Sequence, residues 1–103
     1  MKKITLYIGL NDKDSKIQEI NTIDAYKLVS NVIGVDSTIT EGRGIYKHED
    51  GTVVSETSLI VELLDFCNAL DKGWIKSKIN QIKTLLNQES VAVQYQEVES
   101  ELI

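Results

Sequence analysis

From Lys3 to Leu10 the apolar residues fall on every second position, at Ile4, Leu6, Ile8 and Leu10. That period predicts a half-buried β-strand with Thr5 and Tyr7 on its opposite face. A polar Asn/Asp-type loop over 11–15 ends it, and Ile17 and Ile20 are expected to fasten the next connection to the core. Helical spacing follows at Ala25, Leu28, Val29 and Val32. It predicts a helix over 23–33 with Thr22 as N-cap, Asp24 in the first turn where the helix dipole favours an acid, and Gly34 closing the end. Residues 37–46 are β-rich but contain Gly42-Arg43-Gly44, a pattern that predicts a bulge or a close backbone approach.

Asp50-Gly51 marks a hairpin turn over 47–51. A long strand over 52–64 then places Val53, Leu59, Val61 and Leu63 on one face and Glu56, Ser58, Ile60 and Glu62 on the other. The second helix, capped by Asn68 or Asp71 and running to about Asn87, carries an apolar stripe of Ile75, Ile79, Ile82, Leu85 and Leu86. Residues 90–98 alternate again, with Val91, Val93 and Tyr95 on one side. An acidic tail from about Glu97 is expected to fray.

The resulting order, β-α-β-β-α-β, predicts an α+β, ferredoxin-like sandwich: a four-stranded antiparallel sheet with two helices on one face. A chain of 103 residues suits one core, so a single domain over 1–103 is expected. The uncovered sheet face is where function is expected to sit.

Charge narrows the partners. Sixteen acids against 11 bases give a net charge of −5, and no Lys/Arg stripe exists to displace counterions from phosphates, which disfavours nucleic acid. Cys67 is the single cysteine and His48 the single histidine. An internal disulfide and a Cys/His zinc site within the chain are thereby excluded, and nothing in the sequence implies a metal or cofactor. No apolar run reaches the ~18 residues needed to span a bilayer, and the alternating start lacks a signal peptide's apolar stretch, so a cytoplasmic protein is expected.

Four short motifs carry a family resemblance: Leu6-Tyr7-Ile8-Gly9-Leu10, Gly42-Arg43-Gly44-Ile45-Tyr46, Glu56-Thr57-Ser58 and Gln88-Glu89-Ser90-Val91. In this order the chain resembles domain-of-unknown-function family 3574, whose members are small bacterial and phage proteins. It lacks the Pro-Arg-Phe-Pro-like segment common there, and has Ile45-Tyr46 where Gln-Trp is expected. The resemblance supports the fold and implies no activity.

On the open face, Tyr7, Glu56, Ser58 and Gln94 are candidates for ligand binding or for an interface, since convergent polar groups on a sheet can hold a ligand, and Tyr46 is a further candidate. The alternative is an ordinary wet sheet face. Arg43 is the candidate for an anion if a bent strand aims it there, because guanidinium binds carboxylate or phosphate bidentately; otherwise it pairs with Glu41 or a neighbouring strand. Ile60 among tyrosines suits a self-complementary dimer contact. Catalysis draws little support. His48 lies in the hairpin turn, Cys67 reads as a buried thiol, and Glu41, Glu56 and Glu62 pair only by assuming a geometry. The sequence therefore predicts a non-catalytic binding module, homo-oligomeric with a dimer first. The phage members of the family imply that it sequesters a host protein or a small anionic signalling molecule. The alternatives are a small enzyme using the open face and a purely structural homo-oligomer.

Overall fold

The computed structural model describes residues 1–47, 50–66 and 68–103. Four strands and two helices follow one another as β1 (Lys2–Gly9), α1 (Thr22–Ile33), β2 (Thr38–Lys47), β3 (Val53–Asp65), α2 (Lys72–Leu85) and β4 (Ala92–Glu97). The sheet is antiparallel throughout, in the order β2-β3-β1-β4. This is the ferredoxin-like arrangement that the order of elements predicts.

The alternation in β1 sets the layers. Ile4, Leu6 and Ile8 are fully buried, and Leu59, Val61 and Leu63 of β3 lie on the same side. Ala25, Val29 and Ile33 of α1 and Ile75 and Ile82 of α2 complete this core, with Leu86 just beyond α2. Both helices thus cover one face and leave the other open. Ile20 packs against the core as expected. Ile17 is instead 60% exposed, because it lies in the turn of the small 11–18 ribbon, bridged between Asn11 and Gln18.

The helix ends show local chemistry at work. Asn21, not Thr22, caps α1: its Oδ1 accepts from the Asp24 amide at 2.8 Å and its Nδ2 donates to the Asp24 carboxylate at 2.8 Å. Thr22 is already helical, and its hydroxyl accepts from Gln18 at 3.2 Å. Gly34 closes α1 at φ 66°, a left-handed conformation that costs glycine little. Asp71 caps α2 by accepting from the Trp74 amide at 2.7 Å.

Gly42-Arg43-Gly44 forms no bulge. The β2–β3 register runs unbroken through Gly42↔Ser58, Arg43↔Thr57 and Gly44↔Glu56. The glycines answer to crowding instead, since a Cβ at Gly42 would meet Ile60 at 3.1 Å and one at Gly44 would meet the Tyr46 ring at 2.8 Å. The centre of the hairpin turn, with His48, and also Cys67, lie outside the described residues.

β3 is 13 residues long, but β1 pairs only with Ser58–Asp65. Beyond Ser58, β2 and β3 continue as a two-stranded arm, which contributes to the 46 Å long axis of a molecule 26 by 25 Å across. Replacing Leu6, at the centre of β1, with Ala should lower unfolding stability by about 2–5 kcal/mol, read as a lower urea midpoint at unchanged slope.

Candidate functional site

Side-chain parity places the open face in rows. Across β2, β3, β1 and β4 the rows run Thr38–Glu62–Thr5–Gln94, then Thr40–Ile60–Tyr7–Ala92, then Gly42–Ser58–Gly9. The arm adds Gly44–Glu56 and Tyr46–Val54. Where β1 stops and the arm continues, the surface steps and forms a cleft of about 590 Å³. Tyr7, Gly9 and Asn11 line it from the end of β1, Tyr46, Val54 and Glu56 from the arm, and the 88–92 segment from below β4.

Glu56 is the centre of this cleft. Its row position opposite β1 is that of Asn11, whose amide donates to Glu56 Oε2 at 3.0 Å. The carboxylate folds over Gly9, where a Cβ would lie 2.7 Å from the carboxyl carbon. Glycine at position 9 is therefore what lets the carboxylate lie down on the strand. Oε1 accepts no hydrogen bond, and Glu56 forms no ion pair, among the described residues. A half-buried carboxylate held on one oxygen and free on the other is poised for a cation or a hydrogen-bond donor.

Two aromatic rings accompany it. Tyr46 folds its ring over Gly44, the cross-strand partner of Glu56. Tyr7, 39% exposed, stands one position along from Gly9 and Ser58, and its hydroxyl donates to Gln94 Oε1 at 3.2 Å. That bond orients the ring and occupies Gln94, which does not line the cleft. Ser58 is 8% exposed between two glycines on a face covered by Glu56 and Ile60, so it too is withheld from the cleft.

Arg43 lies on the other face. Its register partner is Thr57, one residue out of phase with Glu56, so it points to the helix side of the arm. It forms no ion pair with Glu41 or any other acid among the described residues. An unbroken strand alternates, and Arg43 is on the odd count, so the bend expected to aim it at an anion does not form.

The ribbon that borders the cleft is tied down by residues that the sequence reading did not single out as site residues. Asp12 Oδ1 accepts from the Asp14 and Ser15 amides at 2.8 and 3.0 Å. Asn87 Nδ2 donates to Asp12 Oδ2 at 2.8 Å and Asp14 Oδ2 at 2.9 Å, while the Asn87 carbonyl accepts from the Lys13 amide at 3.0 Å. Gln88 Nε2 donates to the Asn11 carbonyl at 2.7 Å. The Ser15 amide, then the Asn87 side chain and the Asp14 amide, hold the Asp12 carboxyl below its ordinary range. Among the described residues no cluster of three His, Cys, Asp or Glu side chains is arranged for a metal, and no helix is long and apolar enough to cross a membrane. A second depression runs along α2 beside Lys76, Asn80 and Thr84, but it is the flank of one helix and holds no buried polar group.

Known protein families offer no model that matches this chain, and no curated protein matches it. Solved structures do. A phage SAM lyase in complex with S-methyl-5′-thioadenosine is 24% identical, with a TM-score of 0.68 over 93% of this chain and 80% of that one. The phage SAM lyase in its apo state is 24% identical with a TM-score of 0.63, over 92% and 78%. CutA1 from Pyrococcus horikoshii is 16% identical with a TM-score of 0.52, over 96% and 86%. These likenesses show a shared fold.

Asp12 supplies a pH test of the ribbon. A carboxyl held below its unfolded value of about 3.9 stabilises the ribbon above that pH and loses its effect as pH falls through the lowered value. The Asp14 and Ser15 amide signals should therefore titrate below the ordinary carboxylate range, and Asn87→Ala should move that titration upward.

Proposed function

We propose that the cleft binds S-adenosylmethionine and cleaves it as a lyase. The observation that carries this reading is the Glu56 carboxylate, free on one oxygen among the described residues, in a cleft that Tyr7 and Tyr46 also line. S-adenosylmethionine brings a sulfonium, an ammonium and a flat adenine. A carboxylate with aromatic faces suits the cations, and the rings suit the base. The phage SAM lyase that shares this fold supports the choice of compound. Bacteriophage origin, cytoplasmic location and membership of the domain-of-unknown-function family 3574 belong to the same reading.

In this reading the bond that breaks lies between the sulfonium sulfur and the four-carbon amino-acid chain. As it breaks, the substrate's own carboxylate oxygen bonds to the carbon that held the sulfur and closes a five-membered lactone, the electron pair passes to sulfur, and neutral S-methyl-5′-thioadenosine leaves. No water is added. Charge disappears along the path, so a cleft that excludes water favours the step. The part of this chain is to hold the cation at Glu56 and the rings at Tyr7 and Tyr46. The anionic ligand expected at Arg43 gives way to a cationic one.

Removing a small host metabolite is also what the sequestration reading describes, and the two part at turnover. Self-association is a further component. Ile45 and Val53, 71% and 62% exposed, occupy the reverse side of an arm that no helix covers. A two-stranded ribbon is marginal alone, and a second copy would cover it.

Incubation with S-adenosylmethionine followed by mass spectrometry should show S-methyl-5′-thioadenosine accumulating. Glu56→Gln should weaken binding of S-adenosylmethionine about 10- to 100-fold, the size of one charge-assisted contact, and that of neutral S-methyl-5′-thioadenosine much less. Gly9→Ala should do the same by displacing the carboxylate, and Arg43→Ala should bind as the parent does. S-adenosylmethionine retained intact would mean sequestration; neither retention nor release would overturn the reading. Light scattering should find more than one copy, and Ile45→Asp should shift it to one.

A further inference from the structure

Gln88 stands immediately after the turn that ends α2, 77 residues along the chain from Asn11, and its side chain is 9% exposed. A buried primary amide must satisfy two donors and one acceptor, and its partners show which way it points. Nε2 donates to the Asn11 carbonyl at 2.7 Å and, more weakly, to the Leu86 carbonyl at 3.4 Å. Both partners are carbonyls, so the nitrogen is fixed toward them. The Gln88 backbone is held as well, its amide donating to the Lys83 carbonyl at 2.9 Å. Asn11 is thus gripped at its carbonyl by Gln88, while its amide grips Glu56 Oε2 at 3.0 Å. A path of two hydrogen bonds joins the end of α2 to the carboxylate in the cleft.

The geometry points to Gln88 as the positioning residue for Glu56. It does not reach a ligand through its nitrogen, which is spent on backbone. It fixes Asn11 so that the Asn11 amide holds Oε2 and keeps the whole carboxylate down over Gly9, with Oε1 left without a hydrogen bond among the described residues. Asn87 assists by tying Asp12 and Asp14, the next residues of the ribbon. The role rests on the reading of the cleft as a binding site, but the linkage itself is measurable without any ligand.

Gln88→Met keeps the volume and removes both donors. Asn11 amide hydrogen exchange should quicken about tenfold relative to the Leu10 amide, which donates to the Thr57 carbonyl and does not touch Glu56. Binding of S-adenosylmethionine should weaken by a similar factor, with any turnover losing KM before kcat. Gln88→Asn, one methylene shorter and still polar, should give the same pattern if Gln88→Met folds poorly. In a Glu56→Gln background, where the carboxylate is already lost, Gln88→Met should change ligand binding little further. Unchanged Asn11 exchange in both Gln88 variants would overturn the proposal, as would full additivity with Glu56→Gln in binding. If the parent protein bound neither compound while Gln88→Met still released Asn11, the choice of ligand would fail and the positioning role would stand.

Discussion

The cleft exists because two neighbouring strands differ in length. β3 is accompanied by β2 over Val53–Glu62 and by β1 only over Ser58–Asp65, so the two flanking strands are offset along it. A sheet of equal strands would present a flat open face. Here the shortfall of β1 leaves Glu56, Val54 and Tyr46 standing on a ribbon with nothing beside them at strand level. The ribbon over 11–18 and the segment before β4 close that gap from the side. Ile4, Leu6 and Ile8 settle where β1 begins and ends facing the core, so the hydrophobic layer on the far side determines where the step falls.

The step converts ordinary strand chemistry into a site. Missing Cβ atoms on the face matter as much as the groups present. Gly9 lets a carboxylate lie flat, and Gly44 does the same for the Tyr46 ring. Side chains at these positions would stand Glu56 and Tyr46 upright and spread them apart. Polar groups that could compete for the cleft are withdrawn: Gln94 is engaged by Tyr7, and Ser58 is covered. The Glu56 carboxylate then shares the cleft with Tyr7 and Tyr46, and with Lys13 and Lys16 at the bordering ribbon.

The fold was legible because it depends on periodicity alone. Period two at Ile4, Leu6 and Ile8, and helical spacing at Ala25, Val29 and Ile33, each record burial against one layer. The same parity carried Tyr7 and Glu56 to one face, and the structure adds Tyr46 to it. Arg43 was misplaced because its flanking glycines read as a bend, whereas counting in twos through an unbroken strand puts it behind the sheet. Asn21 and Thr22 are both good caps, and only the position of Gln18 beside the Thr22 hydroxyl separates them. Gln88 carried no local signal of its role, because its partner lies 77 residues away and is a backbone carbonyl, which no side-chain pattern encodes. It was visible only as part of the Gln88-Glu89-Ser90-Val91 motif.

The arm that walls the cleft alternates between two unlike surfaces: Tyr46, Val54 and Glu56 on one, Ile45, Ser55 and Arg43 on the other. Its pairing has no third strand to lock it, so what keeps the two apart is the phase of the hairpin. Sliding β2 by a single place would exchange its tyrosine for isoleucine and guanidinium, and sliding β3 would exchange its carboxylate for serine and threonine. The far tip of the hairpin, with Asp50 accepting from the Thr52 amide at 2.9 Å, therefore acts as the phase-setter of a wall several residues away. Whatever alters the count of residues around that bend rewrites the character of the cleft well beyond Asp50 and Thr52, which line its near end.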